Sequence, residues 1–369
     1  MQSNTVALFR REWPLVANLA TTALFLLFGR GWLAELSNPA WFSFVLAWLF
    51  AVILVSAFAV VRHAEAVAAR LGEPAGTLVL TLAVTGIEVM MISAVMLTGK
   101  GNATLARDAM FAVVMIVLNG MVGISLLLGG LRHHEQSYNL AGASAFLAVI
   151  VPLAVLGLVL PNFTVSSPGP TLSPPQAIFF SIMSFGLYGV FLAIQNIRHR
   201  AYFVMPDSPD ALAHEQTDER SLGYHAGLLA AYLLPLVILC KQIAAPIDHG
   251  IDVFHAPAAL GGLLVAVLIL SPESLAAARA AVANQLQRSV NVLLGSVLAT
   301  ISLTIPSVLA IGFFSGQTIV LGLDAVDTTL LLLTLAVSVL TFSSARTNVL
   351  LGAVHLLLFL AYLMLIFEK

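Results

Sequence analysis

The chain has 369 residues, 60% of them hydrophobic and only 9% charged, with a formal net charge of −2. So little charge cannot cover a soluble surface of this size, and no basic surface is left for nucleic acid, so the composition points to a polytopic membrane protein. The single cysteine, Cys240, excludes an intrachain disulfide and a cysteine-rich metal site.

A membrane span needs about twenty apolar residues. On that basis the chain reads as eleven spans: 14–29, 44–61, 75–98, 109–130, 140–160, 176–195, 222–240, 256–278, 289–314, 318–341 and 347–367. Arg10 and Arg11 before the first run resemble a signal peptide, but no small-residue cleavage motif follows and many more spans do. The first run is therefore read as a retained helix. The expected fold is all-α, with one N-terminal helix and loop (1–40) and two inverted five-helix repeats (41–197 and 222–369). An acidic linker (198–221) carrying Asp207, Asp210, Glu215, Asp218 and Glu219 joins the repeats and reads as solvated chain.

The positive-inside rule sets the orientation. With a cytoplasmic N-terminus, the outside segments hold Arg30, Lys100, Arg107, Lys241 and Lys369, and the other eleven of the sixteen basic residues fall inside. The bias favours N-in and C-out in a cell inner (plasma) membrane. Each five-span set has an odd number of crossings, so the two sets run oppositely through the bilayer, as in inverted-repeat transporters. Internal matches agree: Arg107 opens the third span of the first set with Asn119 twelve residues on, and Arg288 opens the third span of the second set with Thr300 twelve residues on.

The second span of each set carries one acid, Glu88 in GTLVLTLAVTGIEVMMISAVMLT and Glu273 in GGLLVAVLILSPESLAAA. Each stands twelve residues after a glycine, Gly76 and Gly261. An ionisable residue at membrane depth is costly, which makes it a functional-site hypothesis. Thr81, Thr85 and Glu88 share a helix face, and Gly86 admits a close neighbour. Pro272, within Ser271-Pro272-Glu273-Ser274, frees a carbonyl beside the second acid. Carboxylates with carbonyl and hydroxyl oxygens are hard ligands that suit Ca²⁺ or Na⁺. Two carboxylates brought to one midplane site would also resist joint ionisation, so protons and a cation would compete for the same oxygens.

Candidate supporting ligands are Thr85, Ser271, Asn119, Ser296, Thr300 and, at the mouth of the first acid-bearing helix, Glu73, which reads equally as a gatherer of cations or a cap of that helix, with Ser125 and Ser302 nearby in sequence. Serine and threonine also satisfy their own helix backbone, which is the competing reading for each. His63, His133, His134 and His355 read as packed residues, and the nine histidines show no zinc spacing. Asp324 and Asp327 read as loop-edge residues, and the Asn102 and Asn162 glycosylation patterns read as chance matches.

At this point the residues resemble a known family. RHAEAVAARLGEPAGTLVLTLAVTGIEV (62–89), LLLGGLRHHEQSYN (126–139), ILSPESLAAARAAVANQLQRSVNVLLGSVLATISLTIP (269–306) and SSARTNVLLGAVHLLLFLAYL (343–363) resemble the calcium/cation antiporter superfamily. Within it they are most similar to the Ca²⁺/H⁺ antiporters of the bacterial ChaA type. The resemblance implies a cation-binding glutamate in each repeat, falling on Glu88 and Glu273, and a Gly-Ser pair that appears as Gly295-Ser296. The family's Gly-Asn-any-any-Glu motif is altered: Val84 and Ile269 hold the glycine places, and Thr85 and Leu270 the asparagine places. The implied activity is Ca²⁺/H⁺ antiport by alternating access, with Na⁺ and K⁺ as further cargo and no cofactor. A Na⁺(K⁺)/H⁺ antiporter with little Ca²⁺ activity is the alternative. An intramembrane enzyme is the other-class rival, but the sequence offers it no nucleophile–base pair and no metal-ligand helix.

Overall fold

A computed structural model describes residues 11–72, 75–98, 103–204 and 221–368. Eleven helices follow in order: α1 (Trp13–Ala34), α2 (Pro39–Leu71), α3 (Ala75–Thr98), α4 (Leu105–His133), α5 (Leu140–Leu158), α6 (Pro174–Ala193), α7 (Leu222–Phe254), α8 (Ala259–Val282), α9 (Leu286–Ser315), α10 (Ala325–Thr341) and α11 (Val349–Phe367). Among the described residues, nine helices are long and apolar enough to cross a membrane, and Leu78–Ala94 and Ala325–Thr341 are shorter apolar helices.

Helix starts are written locally. Asn38 accepts from the Ala40 and Trp41 amides ahead of Pro39, and Asn139, Ser221, Asp324 and Asn348 cap α5, α7, α10 and α11 in the same way. Such caps satisfy amides that the first helical turn leaves without partners. Asp324 and Asp327 are thus an N-cap and a first-turn residue of α10, bonded through the Asp327 amide.

Three expectations on span length change most, and the largest is the seventh span, expected at 222–240, which runs on to Phe254 as one helix. The second span runs on through Arg62–Leu71, because the alanine-rich RHAEAVAARL keeps good helix formers past the apolar core. The tenth begins at Ala325 rather than 318. Residues 319–323 are apolar but form no helix, and their amides bond elsewhere: Val320 to Ala103, Leu321 and Gly322 to Pro170, and Leu323 to Leu158. Ile319, Leu321 and Leu323 are buried, so the run is a packed connector rather than membrane-facing helix.

The chain divides into two compact units. Unit 1 holds α1, α2, α3 and α7, and unit 2 holds α4–α6, α8 from Gly262 onward, and α9–α11. Each unit draws on both five-helix sets expected from the sequence. In unit 1, α2 packs on α3 and α7, and α1 and α3 also pack on α7. In unit 2, α4 and α9 form the centre, and α4 lies closely on α11 where Gly123 and Gly352 face each other's backbones. A two-residue antiparallel pair, β1 (Gln136–Ser137) with β2 (Arg346–Thr347), ties the loop after α4 to the loop before α11.

Candidate functional site

In unit 1, α3 carries Glu88 and Thr85, both buried, with Thr81 half-buried on the same face. At ~1.5 Å per residue, Glu88 stands ~20 Å from Ala75 and ~15 Å from Thr98, so it sits at mid-depth. Gly76 fixes the helix start, since a Cβ there would meet the Ala68 carbonyl oxygen of α2. Ser93 bonds its hydroxyl to the Val89 carbonyl of its own helix. Glu73 lies outside the described residues, as do Asn102 and the acidic linker residues 207–219.

In unit 2, α8 carries Glu273, half-buried and ~21 Å from Ala259 and ~14 Å from Val282. Both ends of α8 are pinned to the α4 side. A Cβ at Gly262 would meet the Ala109 amide nitrogen at 2.7 Å. At the other end, Gln136 donates to the Ala281 carbonyl at 2.8 Å and His133 Nε2 lies 2.9 Å from the Val282 carbonyl. The close approach thus falls at Gly262, one residue past the glycine that matches Gly76 by spacing. Pro272 has no N–H to give the Leu268 carbonyl, which is left available near Glu273. Ser271 gives its hydroxyl proton to the Val267 carbonyl, the self-satisfying bond expected as the competing reading.

Asn119 and Thr300 sit at the centres of α4 and α9, and there each helix opens into a π turn, Ile116–Met121 and Thr300–Thr304. Single π turns interrupt regular helix at functional positions more often than elsewhere. Asn119 and Thr300 are fully enclosed, and Ser296 is half-buried. The Asn119 amide donates to Thr334 Oγ1 at 2.8 Å, and its Oδ1 faces His355 Nδ1 at 3.3 Å. An amide oxygen accepts only, so His355 carries its proton on Nδ1 and takes the Thr341 hydroxyl proton on Nε2, 2.9 Å away. His355 is neutral in this arrangement, with both nitrogens used. Elsewhere in unit 2, the hydroxyls of Ser125, Ser302, Thr304 and Ser338 are buried with no hydrogen-bond partner among the described residues. Buried oxygens of this kind call for a water or an ion.

The structure therefore gathers Asn119 with Thr334, Thr341 and His355, a set of which sequence reading names Asn119 as a ligand and His355 only as a packed residue. The signal was present as polar residues recurring within apolar spans, but which of them meet depends on helices far apart in sequence. Among the described residues no group of three or more His, Cys, Asp or Glu side chains has the arrangement of a metal centre.

The sequence signature of the sodium/calcium exchanger protein family matches residues 41–196 and again 224–368. The chain belongs to that family. It is 44% identical over 319 residues to the "Sodium-potassium/proton antiporter ChaA" of Escherichia coli, covering 85% of this chain and 86% of the relative. It is 43% identical over 327 residues to the "Putative ionic transporter y4hA" of Sinorhizobium fredii, covering 88% and 89%. Among solved structures, "Structure of native YfkE" superposes with a TM-score of 0.73 at 17% identity, covering 96% of this chain and all of that one. "Crystal Structure of H+/Ca2+ Exchanger CAX" gives 0.66 at 14% identity, covering 96% and 88%. The fold expectation is met: this is a multi-pass, almost entirely helical membrane cation exchanger, a secondary transporter and not an enzyme.

Proposed function

We propose that the protein exchanges Ca²⁺ for protons, with Glu88 and Glu273 as the acids that alternately hold cation and protons. The observation that carries this reading is the placement of one carboxylate at mid-depth on each of two apolar helices, α3 and α8. A carboxylate in such surroundings is costly when ionised and unaccompanied, so it favours either a proton or a cation. Loading a cation must then expel protons, and loading protons must expel the cation. Alternating exposure of this chemistry to the two sides of the membrane couples the fluxes. The proposed neutral partners are the Thr85 oxygen in unit 1 and, in unit 2, the freed Leu268 carbonyl and the Asn119, Ser296 and Thr300 oxygens; Ser271, whose hydroxyl proton is committed to the Val267 carbonyl, is not among them.

A second reading, Na⁺ and K⁺ as the main cargo, is favoured by the high identity to a relative named as a sodium-potassium/proton antiporter. The altered motif supports it too, because Thr85 and Leu270 remove two amide oxygens from the ligands a divalent ion prefers. Proton flux in proteoliposomes on separate addition of Ca²⁺, Na⁺ and K⁺ decides between them. A Ca²⁺ response supports the first reading, a response to Na⁺ or K⁺ alone replaces it with the second, and no response to any of the three overturns both. The proposed orientation is N-in and C-out in the inner membrane, from the distribution of basic residues. Labelling a cysteine placed at Asp210 only from the periplasmic side would overturn it.

A further inference from the structure

Unit 1 contains a second buried ionisable group that the exchange chemistry does not use. It lies where the start of α1, the C-terminal part of α2 and the start of α7 meet. Glu12 Oε2 accepts from Arg62 Nη2 at 2.8 Å and from the Tyr232 hydroxyl at 3.0 Å, and lies 3.3 Å from His63 Nε2. His63 Nδ1 in turn faces His225 Nδ1 at 3.0 Å. Glu12, His63, His225 and Tyr232 are all buried. Among the described contacts the pair is also faced by Arg62, whose Nη2 is 3.2 Å from His63 Nε2, by Tyr224, whose ring lies against both histidines, and by the Tyr232 ring against His63.

The partners assign the protons. An ionised Glu12 oxygen accepts only, so His63 carries its proton on Nε2 and presents a bare Nδ1. His225 must then donate its Nδ1 proton into that contact. Only one proton fits between two nitrogens at this distance. A proton added to the other nitrogen of His225 leaves the contact intact. A proton added to His63 Nδ1 sets two N–H groups head to head and breaks it. Glu12 is not the group that titrates near neutrality. Burial pushes its carboxyl up, but Arg62, His63 and Tyr232 outweigh burial and hold it below the ordinary carboxylate value. Its contribution to stability is therefore present above the ordinary carboxylate range and is lost only as pH falls through that lowered value.

We infer that His63 and His225 form a proton-binding latch that joins α1, α2 and α7 in their neutral or singly protonated state and opens when a second proton binds. Its ligand is the proton, bound at a site separate from Glu88 and Glu273. Opening loosens α3 as well, because α3 packs on both α2 and α7. The latch thus sets an acid limit on the stability of unit 1.

The test is thermal melting of the purified full-length protein in detergent, from about pH 8 to about pH 5, which brackets the histidine range. Ionic strength is held constant and no Ca²⁺, Na⁺ or K⁺ is added. His225→Gln keeps an amide that can turn its nitrogen toward neutral His63 or its oxygen toward protonated His63. The expected result is a wild-type melting temperature that falls across this window by about 2 °C or more beyond the fall in His225→Gln. His63→Gln gives an independent second reading and also flattens the profile. A Glu88→Gln protein, with both histidines intact, keeps the wild-type fall, which separates the latch from the exchange acids. Parallel profiles for wild type and both histidine variants, or a wild-type profile flat across the window, overturn the inference.

Discussion

The polar interiors of the two units differ in kind. In unit 1 the charged contacts described above gather at one end of the helices, around Glu12 and Arg62, and Glu88 is the acid at mid-depth. In unit 2 the described mid-depth contacts join neutral groups: an amide, two threonines and a neutral histidine. The helices differ accordingly. The most apolar stretch of α4 is 78% buried within the protein, against 28% for α1. A central, enclosed helix can carry neutral polar groups at membrane depth because neighbours complete their hydrogen bonds, whereas charges are tolerated mainly where water is within reach. Glu88 and Glu273 break that rule in their respective units, and for this reason they carry the functional reading.

The sharpest way to break the comparison is to remove each exception. Glu88→Gln and Glu273→Gln should each reduce exchange to background in proteoliposomes while the protein still inserts and melts as a folded species. Glutamine keeps the shape and one oxygen but can neither release a proton nor carry the charge a cation needs. Wild-type flux in either variant would return that acid to the ordinary structural class.

How much of this was legible in sequence depends on the scale of the interaction. The eleven helices follow from runs of apolar residues, because hydropathy is local; the caps at Asn38, Asn139, Asp324 and Asn348 are equally local signals, but the sequence reading does not use them, and it places Asp324 at a loop edge. The two acids stand out for the same reason, since a carboxylate within an apolar run contrasts with its immediate neighbours. Residues 319–323 misled because apolarity reports burial and not helix, and those amides bond to residues more than 150 positions earlier. The pairing of Asn119 with His355, like that of His63 with His225, joins residues separated by 236 and 162 positions. No spacing rule reaches that far, so each histidine alone reads as a packed side chain.

A smaller effect sharpens the unit 2 side. Asn119→Leu removes the acceptor of His355 and a donor to Thr334 in a fully enclosed place. Leaving such groups without partners costs about 1–3 kcal/mol each. The melting temperature should fall clearly, and more than for Thr300→Val in the matched π turn of α9. An equal fall in the two variants would mean that the amide network adds nothing beyond ordinary packing of α4.

The smallest expected effect belongs to Ser271, although it is a sequence neighbour of Pro272 and Glu273. Its hydroxyl proton is committed to the Val267 carbonyl one turn back on α8, and the side chain is only half-buried. Removing a hydroxyl that satisfies its own helix leaves one carbonyl short of one bond and opens no large cavity. Ser271→Ala should therefore change stability by less than about 0.5 kcal/mol. Apparent cation affinity, read from the concentration dependence of proton flux, should shift by about twofold or less. A loss of tenfold or more would place the Ser271 oxygen among the cation's direct ligands. The half-buried face of α8 around Glu273 would then take over the role proposed here for the enclosed Asn119 and Thr300 oxygens.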